Sequence, residues 1–218
     1  MAKPAGIKKA VPRRGFTKQS ADQRRLQLIE ATLRCLGRDG VEATVVRRIA
    51  EEAGLSIGMV RHYFSGKDAL LAATYRHLSL LLQEATAKAL KTAGPAPAEQ
   101  LRAYILAGLQ PPILNRDYVR ARFLFWHLAH SHAEVRKVHD EIYSRFEKRL
   151  LILVRAAAKA AGTGGGTALD APTLTITIMA LLKGIWLEWS LAPDRIDPAR
   201  LPDEVLALLA RSLRQKAG

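Results

Sequence analysis

The chain has 218 residues, 49% of them apolar, with one cysteine and a formal net charge of +14. That is enough apolar material for a real core, in one large domain or a small one beside a larger one, while the lone Cys35 excludes an internal disulfide. The positive excess favours a polyanionic partner, nucleic acid or an acidic membrane surface. The basic N-terminus lacks the apolar stretch of a secretory signal, and no apolar run of roughly 18 residues is read in the chain. A cytoplasmic protein with no membrane span is therefore expected.

Residues 1–20 carry Lys3, Lys8, Lys9, Arg13, Arg14 and Lys18 and no acid, with Pro4, Gly6, Pro12 and Gly15 as helix breakers. They predict a disordered basic arm, which either lies on phosphates or in a minor groove or is a solvated tail. From Ala21, Leu26, Ile29, Leu33 and Leu36 recur at helical spacing, with Cys35 as a core thiol, until Asp39-Gly40 stops the helix. Thr44 is the expected N-cap of a second helix with Val46, Ile49, Ala50 and Ala53 inward, closed by Gly54. Ser56 caps a third helix to about Phe64, and Ser65-Gly-Lys-Asp68 has the form of a capping box for a fourth that runs to about Lys91. After the break Gly94-Pro-Ala-Pro97, helices are predicted over about 98–110, from Asn115 or Asp117 to Ser131, and over 133–161. A glycine loop at 162–166 precedes two more, over about 172–191 and 198–216. No strand pattern of useful length is found. The expected fold is all-α with about nine helices: the basic arm (1–20), a helix-turn-helix DNA-binding domain (21–68) and a helical effector-binding and dimerisation domain (69–218).

The stretch 44–67 carries the sharpest chemistry. Two short helices meet at a turn that needs a left-handed residue, Gly54. Ala50 is small enough for close approach, Leu55 plugs the turn, and Val60 and Phe64 anchor the third helix inward. Ile57, Gly58, Met59, Arg61 and His62 are then left facing outward, where a recognition helix meets the major groove. Arg61 can donate two hydrogen bonds to a guanine edge, Gly58 permits close backbone approach, and the Tyr63 hydroxyl suits a phosphate. Lys67 is badly placed for the helix dipole unless a phosphate docks beside it. Thr44 and Arg48 are further candidate phosphate contacts.

Through Ile29, Ala31, Gly40, Thr44, Ile49, Ala50, Ala53-Gly54-Leu55-Ser56, Gly58, Val60, Tyr63-Phe64, Lys67 and Leu70, residues 24–82 resemble the DNA-binding domain of the TetR family of bacterial transcriptional repressors. Many members carry tyrosine where Arg61 stands, so base readout there is expected to differ. Phe123-Leu-Phe-Trp126, Tyr143-Ser-Arg-Phe146 and Gly184-Ile-Trp-Leu-Glu188 resemble the BetI-type group, which governs choline-to-betaine metabolism, over roughly 116–191. That group usually has tryptophan where Arg122 stands and often an acid where Lys183 stands. Both departures put positive charge where a choline site would want aromatic or negative character.

The resemblance implies a ligand-responsive repressor that binds a palindromic double-stranded DNA operator as a homodimer, joined through the last two helices of each subunit. Ile178, Leu181, Leu182, Ile185 and Trp189, with Leu201, Val205, Leu208, Leu209 and Leu213, supply apolar stripes for that interface or for core within one chain. The candidate effector wall is Tyr104, Phe123, Trp126, Tyr143, Trp186 and Trp189, with Glu188 for charge; such rings attract quaternary ammonium groups or simply fill core. An effector of unknown identity would act by shifting helix four. His127, His130, His132 and His139, with Glu134 and Asp140, lack metal-ligand spacing and are expected to form a polar surface turn. No metal or cofactor is expected. Two other functions compete: an architectural DNA-binding protein without sequence preference, and a small helical enzyme pairing His127 or His139 with Asp140, for which no catalytic motif is found.

Overall fold

The computed structural model describes residues 20–161, 170–197 and Ala207. Among these are eight α-helices and no strand: α1 (Ala21–Ala43), α2 (Val46–Ala53), α3 (Ile57–Tyr63), α4 (Lys67–Thr92), α5 (Pro97–Ala107), α6 (Arg116–Leu128), α7 (Ala133–Ala160) and α8 (Ala171–Leu191), followed by a 3-10 turn at Pro193–Arg195. The basic arm, the glycine loop and nearly all of the ninth helix lie outside the described residues.

Several caps follow the sequence. Ser56 accepts from the Met59 amide at the start of α3, Asn115 from those of Asp117 and Tyr118 at α6, and Asp170 from that of Thr173 at α8. Gly40 breaks α1 at φ 80° and ψ −178°, after which one short turn continues to Ala43. Two expected caps are corrected. Val45, not Thr44, occupies the N-cap of α2; the Gly40 bend folds Thr44 inward, where it is fully buried and its hydroxyl donates to the Gly40 carbonyl. Gly66, not Ser65, is the N-cap of α4, so the box falls one residue out of register and no side chain caps that helix.

The buried apolar residues gather into three clusters. In the head, Leu28, Ile29, Ala31, Ile49, Ala50, Ala53, Val60, Phe64 and Leu70 lock α1, α2, α3 and the start of α4 together. In the body, α4, α5, α7 and α8 close around residues such as Ile105, Leu150, Ile178 and Trp186. Between them, Leu33 and Leu36 of α1 pack with Leu71, Tyr75 and Leu78 of α4, Ala121 and Phe125 of α6, and Val135 and Val138 of α7. Helix α1 therefore belongs to the head by one half and to this junction by the other. Close packing there depends on Gly37: a Cβ at that position would stand 2.7 Å from Asp117 Cβ and 2.9 Å from the Asp117 carbonyl oxygen, at the start of α6.

Where no long apolar run was expected, α8 is long and apolar enough to cross a membrane by length and composition alone, with 21 residues and a mean hydropathy of 1.4 over its most apolar stretch. Lys183 and Glu188 interrupt the run without lowering its average enough. The apolar character has a local use: Leu174, Ile178, Met179, Leu182, Ile185 and Trp186 are core residues of the body. On other faces of α8, Ile176 is 54% exposed and Leu191 70%.

Candidate DNA interface and effector cavity

At the head, Gly54 closes α2 with φ 63° and ψ 30°, a left-handed conformation that only glycine adopts without strain. Its amide bonds back to the Ala50 and Glu51 carbonyls, and the Leu55 amide to Ala50. The Gln27 side-chain amide donates to the Ala53 carbonyl, satisfying a further helix-end acceptor from α1. Across this turn α3 buries Val60 and the adjoining Phe64, over which the Arg25 guanidinium lies at 4.9 Å. Ile57, Gly58, Arg61 and His62 are exposed, and Met59, Tyr63 and Lys67 are half-buried. All seven lie on α3 and the first residue of α4.

The two candidates from the region of α2 are placed differently. Thr44 is buried with its hydroxyl engaged, so it has no side-chain group to offer a phosphate. Arg48 is exposed but leans to Asp39 at 3.6 Å and Glu51 at 4.0 Å. It belongs to a chain of ion pairs, Arg34–Glu52, Arg38–Glu52 and Arg38–Asp39, that ties α2 to α1. Hydrogen bonds from these arginines hold the Asp39 and Glu52 carboxyls below the usual carboxylate range. Arg47, passed over in the sequence, is the more exposed of the neighbouring pair.

In the body, a cavity of about 60 Å³ lies between α4, α6, α7 and α8. Its wall includes Tyr75, Arg122, Trp126, His139, Tyr143, Lys183 and Trp186. Trp126, Tyr143 and Trp186 were expected there. Tyr104 instead lines an adjoining cavity of about 270 Å³ between α4, α5 and α7, which shares Leu82, Ile142 and Phe146 with the first. Phe123 backs the wall, edge-on to Trp126 at 5.0 Å. Glu188 is exposed and Trp189 packs on the body core outside the cavity; Glu188 is two residues past Trp186, about 200° around the helix.

The cavity's polar groups fall into two sets. In one, the Trp126 indole N–H donates to the Tyr75 oxygen at 3.1 Å, and the Tyr75 hydroxyl meets His139 Nδ1 at 3.0 Å. With its oxygen already accepting, Tyr75 is best placed to donate to a neutral His139. Burial supports this by lowering the His139 pKa and pushing that of Tyr75 up to about 12. The other set is cationic. Arg122 is 4% exposed, and its Nε and Nη2 are buried with no hydrogen-bond partner. Its guanidinium lies 4.9 Å from the Trp186 ring, and desolvation lowers its pKa to about 10. Lys183 Nζ lies 4.5 Å from the Tyr143 ring and 5.5 Å from that of Trp126, with its pKa also lowered by burial.

Sequence reasoning set the positive charges of Arg122 and Lys183 at a choline-type site through the family pattern without counting them among the wall residues, and it missed Tyr75. The histidine group divides, contrary to a single surface turn. His139 turns into the cavity, whereas His127 and His130 are exposed and His132 lies 3.8 Å from Asp68. Among the described residues, no three His, Cys, Asp or Glu side chains gather as a metal site.

A helix-turn-helix head with an exposed recognition helix, seated on a helical body that has its own cavity, is the architecture of a DNA-binding regulator. Comparison with known proteins agrees. Residues 28–74 match the family of bacterial regulatory proteins described as tetR, and residues 97–214 match the C-terminal domain of BetI-type transcriptional repressors. The HTH-type transcriptional regulator BetI of Burkholderia mallei is 31% identical over 182 residues, 80% of this chain and 85% of that protein. A transcriptional regulator from Pseudomonas aeruginosa PAO1 superimposes with a TM-score of 0.82 at 32% identity, covering 93% of this chain and 95% of its own. A Saccharomonospora viridis regulator, solved in complex with choline, has the same fold at 20% identity and a TM-score of 0.73, covering 89% and 97%. This chain belongs to the TetR family of transcription regulators, in its BetI-type group.

Proposed function

We propose that the protein is a homodimeric repressor that holds a palindromic operator and releases it when a small molecule fills the cavity of the body. One observation carries this reading: the cavity abuts the junction that seats the head. Tyr75 and Arg122, both in its wall, stand on α4 and α6, the helices that grip the second half of α1. Phe125, stacked on Tyr75 at 4.8 Å, faces Leu33 and Leu36 in the same cluster. A ligand that moves these side chains would re-seat α1, and with it the recognition helix. The expectation of a shift in α4 alone thus widens to α4 and α6 together. Such a ligand acts only by preferring the re-seated state.

On DNA, α3 enters the major groove with Arg61 at a base edge and Ile57, Gly58, Met59 and His62 beside it, while Tyr63, Lys67 and the free amides at the start of α4 take phosphates. The exposed Ile176, Leu187 and Leu191 of α8 serve the second subunit, together with the segment at 198–216. The effector domain thus spans residues 69–218 and the reading domain 21–68, and the protein works in the cytoplasm as a regulator rather than an enzyme.

Selection from random duplexes tests the reading. The expected product is an inverted repeat with half-sites about one helical turn apart; equal affinity for all duplexes with a steep salt slope would mark an architectural protein instead. On the selected site, Arg61→Ala should cost about 1–3 kcal/mol and relax one base position. Lys67→Ala should weaken every sequence alike and flatten the salt slope by about one unit. Unchanged retardation of both variants in gels would remove α3 from the groove.

A further inference from the structure

We infer that the effector is an organic anion, a carboxylate or its equivalent on a small apolar body, bound by Arg122 and Lys183, and not a quaternary ammonium. This rests on the cavity being the effector site.

Two cations line the cavity; burial outweighs the one carboxylate whose charge supports Lys183, that of Glu147, and among the described residues no carboxylate supports Arg122. A buried guanidinium with two unpartnered nitrogens is costly in any protein, and is tolerated where a ligand completes it. Arg122 presents such a group, with planar donors suited to a carboxylate. The aromatic faces that would attract an ammonium ligand are already taken by the protein's own charges: Arg122 lies over Trp186, and Lys183 over Tyr143 and Trp126. A bound cation would displace them and meet two like charges at close range; an anion would complete both. Of the other hydrogen-bonding side chains of that wall, Trp126, Tyr75 and His139 are bonded to one another and the Trp186 indole donates to the Gly108 carbonyl, so the head group is left to the two cations and the Tyr143 hydroxyl beside Lys183. Leu82, Ile142 and Phe146 lead from the cationic end into the adjoining cavity, where an apolar body fits.

Benzoate, phenylacetate and hexanoate are the probes, with choline as the opposing one, titrated into the full chain by tryptophan fluorescence and by thermal melting. At least one carboxylate should saturate the signal and raise Tm, and choline should do neither. Arg122→Met and Lys183→Met should each weaken that carboxylate about 10- to 100-fold, the loss of one charge-assisted contact. Ligand-free Arg122→Met should melt at or above the parent temperature, because an unpaired buried charge has given way to an apolar chain. Tighter binding of choline than of every carboxylate, binding of none of the three carboxylates, or full carboxylate affinity in both variants overturns the inference. If Arg122→Met does not fold, Lys183→Met alone decides by the same criterion. Carboxylate binding that leaves the selected DNA bound supports the anion and counts against the release mechanism. DNA release by choline alone, abolished by filling the cavity with Met179→Trp, supports the cavity as effector site and overturns the anion.

Discussion

Phe125→Ala should lower the free energy of unfolding by about 3–5 kcal/mol, the range for an aromatic ring removed from a packed core. The ring is fully buried and nearly parallel to Tyr75, with 10° between their planes. It stands where α1, α4, α6 and α7 meet, so no single helix can close the void without leaving another. The urea midpoint measures the loss. The second consequence is functional: Tyr75, no longer stacked, can yield to a ligand without moving α6, so operator affinity should respond less to any effector that still binds. A loss below about 1.5 kcal/mol, with the response intact, would show that the junction repacks freely and does not transmit the signal.

Gly37→Ala sets two effects against each other. Alanine within a helix gains about 1 kcal/mol over glycine, while overpacking a close contact costs about 1–3 kcal/mol. The decisive fact is what the new methyl meets: Asp117 Cβ at 2.7 Å, its carbonyl oxygen at 2.9 Å and its Cα at 3.0 Å. None of these can rotate aside, so α1 and the start of α6 must part. The variant should be less stable than its parent and should bind the operator less tightly, since the head is re-seated without any ligand. Gly58→Ala is the contrasting case. There the nearest atom is Ser56 Oγ at an ordinary 3.7 Å, so stability should hold or rise. Its DNA affinity should nevertheless fall, because the methyl would stand on the exposed face of α3 that we propose enters the groove. Equal or greater stability of Gly37→Ala in thermal melts would contradict the proposed tightness of the junction.

Much of this was legible in the sequence for a definite reason. Helical periodicity survives any tertiary arrangement, so the eight described helices fell near their expected bounds; Gly54, Ser56 and Asn115 announced helix ends through local chemistry that needs no distant partner. What depended on a bend or on register was less legible. Thr44 has the composition of a cap and is buried because Gly40 turns the chain back on itself. Ser65 misses the cap of α4 by one residue. The cavity was half visible: its aromatic residues stood out by type, but the bond between Tyr75 and His139 joins positions 64 apart. Only the packing of α4 against α7 brings them together. Likewise, Arg122 looked like a departure from a pattern until its burial without partners gave it a chemical meaning.

The double membership of α1 limits how this regulator can be re-engineered. A chimera cut at 68/69, grafting a foreign reading head onto this body, would import a first helix whose far half was shaped for another chassis. Leu33, Leu36 and Gly37 would be lost from beneath Phe125 and Asp117. A transplant that carries the opening turns of α6 along with its own first helix should keep its allosteric response, whereas a simple cassette exchange should give a protein that grips DNA but has gone deaf to its inducer.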